Sequence, residues 1–258
     1  MEYLRCPNCK EPLKKQERSL VCPNGHRFDL ARQGYVNLAL RAKPAGDNRE
    51  MVKARTAFLD KGYYDFLRDH VAEELKRTAG KSYADIACGE GHYTQAFAAP
   101  FEAAFGFDLA KEAIAHAAGQ DKHTQYAVAS IFNLPLKDAS LDAATLLFAP
   151  VPEDELKRVI RKGGTLITVS PGPRHLWQLK EFLYATPYEN PYPQPQLPGF
   201  ELVKEELISE EKDIADVWEL FEMTPYRYKT SAEGIEKAKT AGPMKMSVSF
   251  LVRTWRRI

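Results

Sequence analysis

The sequence predicts an α/β fold: a mostly parallel sheet with helices on both faces, behind a small N-terminal metal-binding module. Two observations carry this expectation. From Tyr83 onward, short apolar runs alternate with helical patterns, and repeated strand–helix–strand units imply parallel strands joined by crossover helices. Ahead of them, Cys6-x2-Cys9 and Cys22-x3-His26 have the spacing of a complete four-ligand zinc site.

The metal module comes first along the chain. Zinc takes four tetrahedral thiolate or imidazole ligands, and each short step here bites the ion from one tight knuckle. Pro7-Asn8 sits inside the first knuckle and Pro23-Asn24-Gly25 inside the second, turn-forming residues where the backbone must curl. With Cys6, Cys9, Cys22 and His26 all used, no ligand position remains for a reactive water, so the site is structural. Residues 1–35 are too few to build a core alone, and metal supplies much of their folding energy. Residues 36–60 form a linker and lead-in helix: 41–49 are polar and rich in breakers, and helical periodicity begins near Arg49 with Met51, Val52, Ala54, Phe58 and Leu59.

The main domain spans 61–258. A second helical pattern follows Gly62 (Phe66, Leu67, Val71, Leu75). Strands are expected at 83–87, 103–107, 124–128, 143–148 and 165–168, with helices from about Thr94, Glu112 and Glu153. A helix over about 174–184 leads into 186–198, where five prolines forbid helix and central strand alike. That excursion is expected to border a substrate cleft. A strand at 200–207, a helix at 214–223 and a terminal strand at 247–255 would complete seven strands.

Asp85-Ile-Ala-Cys-Gly-Glu-Gly91 follows the first of these strands and precedes a helix. A glycine-rich strand-to-helix turn lets a ligand approach the backbone and meet the helix N-terminus. The last position of a dinucleotide fingerprint is occupied by Thr94, which disfavours NAD. The loop instead resembles motif I of S-adenosylmethionine methyltransferases, Asp-x-Gly-x-Gly-x-Gly, with Ala87 in place of the first glycine. Alanine is tolerated there if its φ is negative. Asp108 ends the second strand, where a carboxylate accepts both ribose hydroxyls; it also suits a helix N-cap. Ser130 lies at the end of the third strand, where adenine would lie. Loop, Asp108 and Ser130 favour S-adenosylmethionine and a Rossmann-like class I methyltransferase sheet.

No run of about 18 apolar residues exists, so no membrane span is expected, and the N-terminus has no signal-peptide core. Three cysteines go to zinc and Cys88 lies in the cofactor loop, which leaves no disulfide framework and favours a cytoplasmic location. The net charge is only +1, yet residues 1–60 hold twelve Lys/Arg against seven Asp/Glu, while the rest hold twenty-four against twenty-eight. Positive charge concentrated on the zinc module would gather a phosphate backbone.

Several stretches together are similar to the bacterial 23S rRNA (guanine-N1)-methyltransferases. They are Cys-Pro-x-Cys with Cys-Pro-x-x-His-x-Phe-Asp, Gly34-Tyr-Val-Asn-Leu, the run from Met51 to Tyr64, Asp85 to Thr94, Pro171-Gly-Pro-Arg-His-Leu and Met223-Thr-Pro. They cover most of the chain in the family's order. The resemblance implies methylation of guanine N1 in a hairpin loop of 23S rRNA, a structural zinc, and a homodimer whose zinc modules help form an RNA cleft. It also implies that Tyr64, His92 and Tyr93 contact the methyl donor, together with loop residues Asp85, Ala87, Gly89, Glu90 and Gly91, and that His175 lies near the same pocket. Where the family's pattern has tyrosine after the fourth strand, this chain has Phe148.

Methyl transfer from a sulfonium is an in-line displacement that depends on positioning. A loop guanine can be splayed out and stacked on an aromatic ring. Phe148 and Pro150 follow the fourth strand, and carboxyl ends of strands are where open α/β sheets bind ligands; by pattern alone Phe148 is ordinary core. Phe148-Ala-Pro150 lacks the leading amide or carboxylate of exocyclic-amine methyltransferases, which argues for a ring nitrogen. Guanine N1 must lose a proton, with His175, Glu90 or water as the acceptor. Two rivals remain: a small-molecule methyltransferase with a purely structural ribbon, and a non-catalytic RNA-binding module with a degenerate Rossmann domain.

Overall fold

A computed structural model describes residues 3–39, 49–78 and 80–258; most of the expected linker at 41–49 lies outside the described residues. The chain opens with three short antiparallel strands, β1 (Lys14–Gln16), β2 (Ser19–Val21) and β3 (Arg27–Asp29). Next come β4 (Val36–Asn37), α1 (Arg49–Leu59), α2 (Asp65–Lys76), β5 (Ser82–Ile86), α3 (Thr94–Ala98), β6 (Ala103–Asp108), α4 (Lys111–Gln120) and β7 (Gln125–Val128). Then β8 (Leu141–Leu147), α5 (Glu153–Val159), β9 (Ile160–Pro171), α6 (Trp177–Leu183), β10 (Phe200–Ile214), α7 (Val217–Met223), a 3-10 turn at Pro225–Tyr228, α8 (Ala232–Lys239) and β11 (Met244–Arg257) complete the fold.

The main sheet has the order β10-β11-β9-β8-β5-β6-β7-β4. All its pairings are parallel except those of β11, which runs antiparallel between β9 and β10. Central strand β5 (Ser-Tyr-Ala-Asp-Ile) is buried at every residue, as a strand covered by helices on both faces must be. The long edge strand β10 defends itself differently, with charges at Lys204, Glu205, Glu206, Glu210, Glu211 and Lys212 that discourage further pairing.

Four departures from expectation have physical causes. Among the described residues the sheet has eight strands rather than seven, because Val36–Asn37 pairs with Ala127 and Val128; two residues are too few to show a strand pattern. Residue 214, expected to begin a helix, ends β10 opposite Met244, since long-range pairing with β11 outweighs local propensity. Helix α6 starts at Trp177 rather than near 174, after the Pro171-Gly-Pro turn and a left-handed Leu176 (φ 54°). Helix α8 was not anticipated, although Ser231 caps it by accepting from the Gly234 N–H at 3.2 Å.

Two large apolar cores cover the two faces of the sheet. One gathers Phe58, Tyr64, Leu67, Val71, Phe97, Leu176, Leu220 and Phe250. The other joins Leu4, Leu13, Leu20 and Phe28 of the zinc ribbon to Ala84, Ile86, Phe105 and Phe107 of β5 and β6. The ribbon therefore does not rely on metal alone, because its apolar side chains are buried against the main sheet.

Candidate functional site

The four predicted zinc ligands converge. Cys9 Sγ lies 3.6 Å from Cys22 Sγ, and His26 Nδ1 lies 3.6, 3.4 and 3.3 Å from Cys6, Cys9 and Cys22 Sγ respectively. Zinc bonds of about 2.3 Å to sulfur and about 2.0–2.1 Å to nitrogen place tetrahedral donors about 3.5–3.8 Å apart, so the set fits zinc with His26 ligating through Nδ1. The knuckles are shaped by the backbone. The Lys10 N–H donates to Cys6 O at 2.8 Å, the Gly25 N–H to Cys22 O at 3.0 Å, and Gly25 takes φ +79°. The Glu11 backbone N–H pulls the Cys9 thiol down to about 6, toward the thiolate a metal needs. A second grouping, His70, Glu74 and Glu206, is instead an ion-pair network: the Lys204 ammonium sits 3.0 Å from Glu74 and 2.8 Å from Glu206.

The ribbon is fastened to the loop after β7. The Arg5 N–H donates to Pro135 O at 2.9 Å, the Lys137 N–H to Tyr3 O at 2.8 Å, and Lys10 Nζ to Asn133 Oδ1 at 2.7 Å. That loop begins at Ser130, whose Oγ accepts from the Phe132 N–H at 3.3 Å. The metal centre is thus mechanically continuous with the loop expected to flank adenine.

The glycine-rich loop leaves the carboxyl end of β5, beside the point where strand order reverses between β6 and β8. Gly91 takes φ +82°, and an added Cβ would stand 2.8 Å from Ala117 Cβ on α4. Gly89 takes φ +55°, and among the described residues only Arg55 Nη1 comes near that position, at 3.5 Å. One glycine lets the loop pack on α4 and the other opens a cradle toward a ligand. Its N–H donates to Asp108 Oδ2 at 3.0 Å, and the Ala110 N–H donates to Asp108 Oδ1 at 2.8 Å. Asp108 does not cap α4, whose N-cap is Ala110.

Ala87 corrects an expectation. Its φ is +63°, the left-handed region that alanine was expected to avoid, at a cost of about 1–2 kcal/mol. Asp85 lies beneath this loop rather than in it. Tyr83 Oη donates to Thr145 Oγ1 at 2.5 Å, Thr145 donates to Asp85 Oδ1 at 2.9 Å, and Thr94 donates to Asp85 Oδ2 at 2.6 Å. Burial nevertheless pushes the Asp85 carboxyl up to about 6. Glu90, also buried, pairs with Arg55 of α1 at 3.5 Å. Thr145, Arg55 and Gly106 were not singled out from the sequence. A Cβ on Gly106 would come within 2.5 Å of the Tyr126 ring, and the only sequence signal was a glycine in the middle of an aromatic strand.

An aromatic wall stands beside the loop. Tyr64 packs edge-on against Phe58 (5.3 Å), Phe250 (5.0 Å) and His175 (6.0 Å). His92 and Tyr93 pack at right angles, 4.9 Å apart. Burial lowers the pKa of His92, and its Nε2, 3.8 Å from Asp65 Oδ1, has no hydrogen-bond partner among the described residues, a polar atom suited to meet a ligand. The Ser249 N–H donates to His175 Nδ1 at 3.2 Å, so Nε2 carries the ring proton and faces Tyr64 Oη at 3.5 Å. Burial holds the imidazole down at about 3. With its one lone pair already engaged, His175 serves as a neutral donor, which removes the physical basis for treating it as the base.

Phe148 is not core. It is 45% exposed just beyond the carboxyl end of β8, takes φ +56°, and lies 5.5 Å from Phe250. A bulky residue in that region is a strained outlier. Pro150 beside it is also exposed. Of the left-handed non-glycine residues described, Ala87, Phe148 and Leu176 follow the carboxyl ends of β5, β8 and β9, while Lys10, Glu17 and Ala139 lie in turns elsewhere.

Comparison with known proteins fits this geometry. Residues 4–40 match the family described as "RlmA, N-terminal", a zinc ribbon, and residues 84–168 match "Methyltransferase domain", whose donor is S-adenosylmethionine. A "23S rRNA (guanine(748)-N(1))-methyltransferase" of Streptomyces fradiae is 42% identical over 191 residues, covering 71% of this chain and 68% of that one. A Micromonospora griseorubida protein named "Putative 23S rRNA (guanine-N(1)-)-methyltransferase" is 35% identical, with 71% and 70% covered. A solved Bacillus halodurans structure, described as a "putative methyltransferase", shares the fold with TM-score 0.50 at 17% identity, covering 72% of this chain and 96% of that one. With the ribbon, the donor cradle and this level of identity in one polypeptide, the chain belongs to the 23S rRNA (guanine-N1)-methyltransferase family.

Proposed function

We propose that this protein transfers a methyl group from S-adenosylmethionine to N1 of a guanine in a hairpin loop of 23S rRNA. The observation that carries the proposal is Phe148. An exposed ring held in a strained left-handed conformation beyond β8, beside the aromatic wall of Tyr64, His175 and Phe250, suits a splayed-out base. Pro150 limits the slack of the same segment. Phe148-Ala149-Pro150 lacks the leading amide or carboxylate that would hold an exocyclic amine, which favours the ring nitrogen.

Donor binding falls to the loop 87–91, which Asp85 supports from below, and to Asp108, Ser130, Tyr64, His92 and Tyr93. The Asp108 carboxylate, oriented by two backbone N–H groups, would accept the ribose hydroxyls. S-adenosylmethionine, when bound, supplies the electrophilic methyl group. The guanine N1 would displace the donor's sulfur from that methyl group, and the N1 proton would pass to solvent or to the Glu90 carboxylate. His175 keeps Tyr64 and the wall in place rather than taking that proton. The basic zinc ribbon, docked on the Ser130 loop, is positioned to draw RNA to the same edge of the sheet.

The family resemblance supports a homodimer whose ribbons border one RNA cleft, and sedimentation equilibrium tests it. The reduced cysteines support a cytoplasmic location. No helix among the described residues is long and apolar enough to cross a membrane. The activity itself is tested by incubating the protein with labelled donor and 23S rRNA from a strain lacking the enzyme, then mapping arrest of primer extension. A methyl on N1 blocks pairing, so copying stops one nucleotide short of a single guanine. Label confined to small molecules, with no arrest on rRNA, would point instead to a small-molecule methyltransferase.

A further inference from the structure

The proline-rich excursion between α6 and β10 has no regular structure, and most of its residues from 185 to 198 are exposed. Its five prolines give it stiffness, but stiffness does not fix where it lies. Lys180 on α6 does. It has 0% of its surface exposed, and its ammonium donates to Tyr188 O and to Asn190 Oδ1, each at 2.8 Å. The same nitrogen stands 4.7 Å from the Tyr188 ring centroid and 5.5 Å from that of Tyr226. Among the described residues no carboxylate forms an ion pair with it. A buried cation held by neutral acceptors and ring faces, with the Glu189 carboxylate attracting it only from a distance, is costly.

The tether ends at the active-site wall. Asn190 Nδ2 donates to Gly172 O and the Asn190 N–H donates to Pro173 O, each at 2.8 Å. Gly172 O also accepts from the His175 N–H at 3.1 Å. One bridge thus runs from Lys180 through Asn190 to the turn that sets His175 against Tyr64. Farther along, a second anchor fixes the excursion to the sheet: Tyr192 Oη donates to Glu205 Oε1 at 2.6 Å, and Arg253 Nη2 donates to Pro193 O at 2.7 Å. Held at both points, the strap presents exposed Tyr188 beside the His175 turn, with Glu189 as its only charge. Such a surface suits stacking with unpaired bases rather than gathering phosphates.

We propose that Lys180 is a positioning residue for the RNA substrate: with Asn190 it locks the proline-rich strap against the His175 turn, so that the strap forms a fixed wall for nucleotides flanking the target guanine. The proposal rests on the rRNA methyltransferase reading. Two variants test it, Lys180→Met and Asn190→Ala, the second breaking the same bridge without altering a buried charge. Hydrogen exchange at Tyr188–Asn190 is expected to accelerate about tenfold or more in both, the loss of at least one buried hydrogen bond. The KM for 23S rRNA is expected to rise about tenfold, while kcat and donor affinity stay within about twofold of wild type. Unchanged exchange would show that no tether exists. Faster exchange with an unchanged KM for rRNA, or donor affinity falling as far as RNA affinity, would overturn the positioning role. If Lys180→Met does not fold, Asn190→Ala decides by the same readouts. Wild-type protein that leaves rRNA unmethylated would refute the activity and this role in it, and exchange at the strap would still decide whether the tether exists.

Discussion

Gly89 and Gly91 both take left-handed backbone, yet replacing each with alanine should have opposite consequences. Any alanine there incurs about 1–2 kcal/mol of backbone strain, less about 0.4–1 kcal/mol from a less flexible unfolded chain. At Gly91 the new methyl would also stand 2.8 Å from Ala117 Cβ, 3.4 Å from Ala117 Cα and 3.1 Å from Tyr126 Oη. Ala117 has no rotatable atoms to swing aside, so α4 itself must shift, at about 1–3 kcal/mol. Gly91→Ala should therefore lose about 2–4 kcal/mol in total, a fall of about 5–15 °C in Tm for a chain of this size. At Gly89 the only neighbour among the described residues is the far end of the Arg55 side chain, so there the strain stands alone and Tm should fall by only about 2–4 °C. Ala87, already left-handed in the same loop, shows that the fold bears such a cost. The Gly89 methyl would, however, fill the cradle, and donor affinity should fall by at least about tenfold, the equivalent of one lost close contact. Thermal melts and isothermal titration with S-adenosylmethionine separate the two effects. Wild-type donor affinity in Gly89→Ala would remove that loop from the donor site, and a wild-type melt of Gly91→Ala would refute the packing argument.

Three further outcomes follow from the geometry. Because the folded Asp85 carboxyl holds its proton to about pH 6 against an ordinary 3.8, the native state binds more protons than the unfolded chain between those values, so its contribution to stability falls as pH rises through that window. Asp85→Asn should remove that dependence: relative to wild type it should gain about 2 kcal/mol between about pH 4 and pH 8, and parallel urea-stability curves would contradict the assignment. Cys9→Ser should release the zinc, read by a colorimetric chelator, and lower Tm by about 5–10 °C; full metal retention would exclude Cys9 as a ligand. Phe148→Ala should reduce kcat/KM for rRNA by about 10–100-fold, the worth of one base–aromatic stack, with donor affinity unchanged; an rRNA activity equal to wild type would place the target base elsewhere.

The contrast between what local pattern foretold and what it could not lies in sequence distance. The ligands Cys6, Cys9, Cys22 and His26 sit in two short knuckles, and the strand–loop–helix of β5 and α3 is contiguous, so both were legible from residue types at fixed spacing. Ala87 was placed correctly in the loop, but the sign of its φ follows from how β5 hands over to α3, which composition does not encode. Phe148 looked like the last apolar residue of a strand, and only the turn after β8 rotates it outward. The bridge from Lys180 through Asn190 to Gly172 joins three segments that no periodicity links, and a lysine in a helix ordinarily reads as solvent-facing. The ribbon's docking shows the same limit: Leu4, Leu13 and Leu20 appeared too few to form a core because the rest of that core, Ile86, Phe105 and Phe107, lies some seventy residues or more along the chain. Strain and buried charge therefore carry the functional information that pattern lacks. Ala87, Phe148 and Leu176 in left-handed backbone and Lys180 in the interior each make the fold less stable than a plainer residue would, and they lie at the strand ends, or on the bridge between them, to which the proposed reading assigns donor and RNA, whereas Lys10, Glu17 and Ala139 bear the same strain in turns elsewhere.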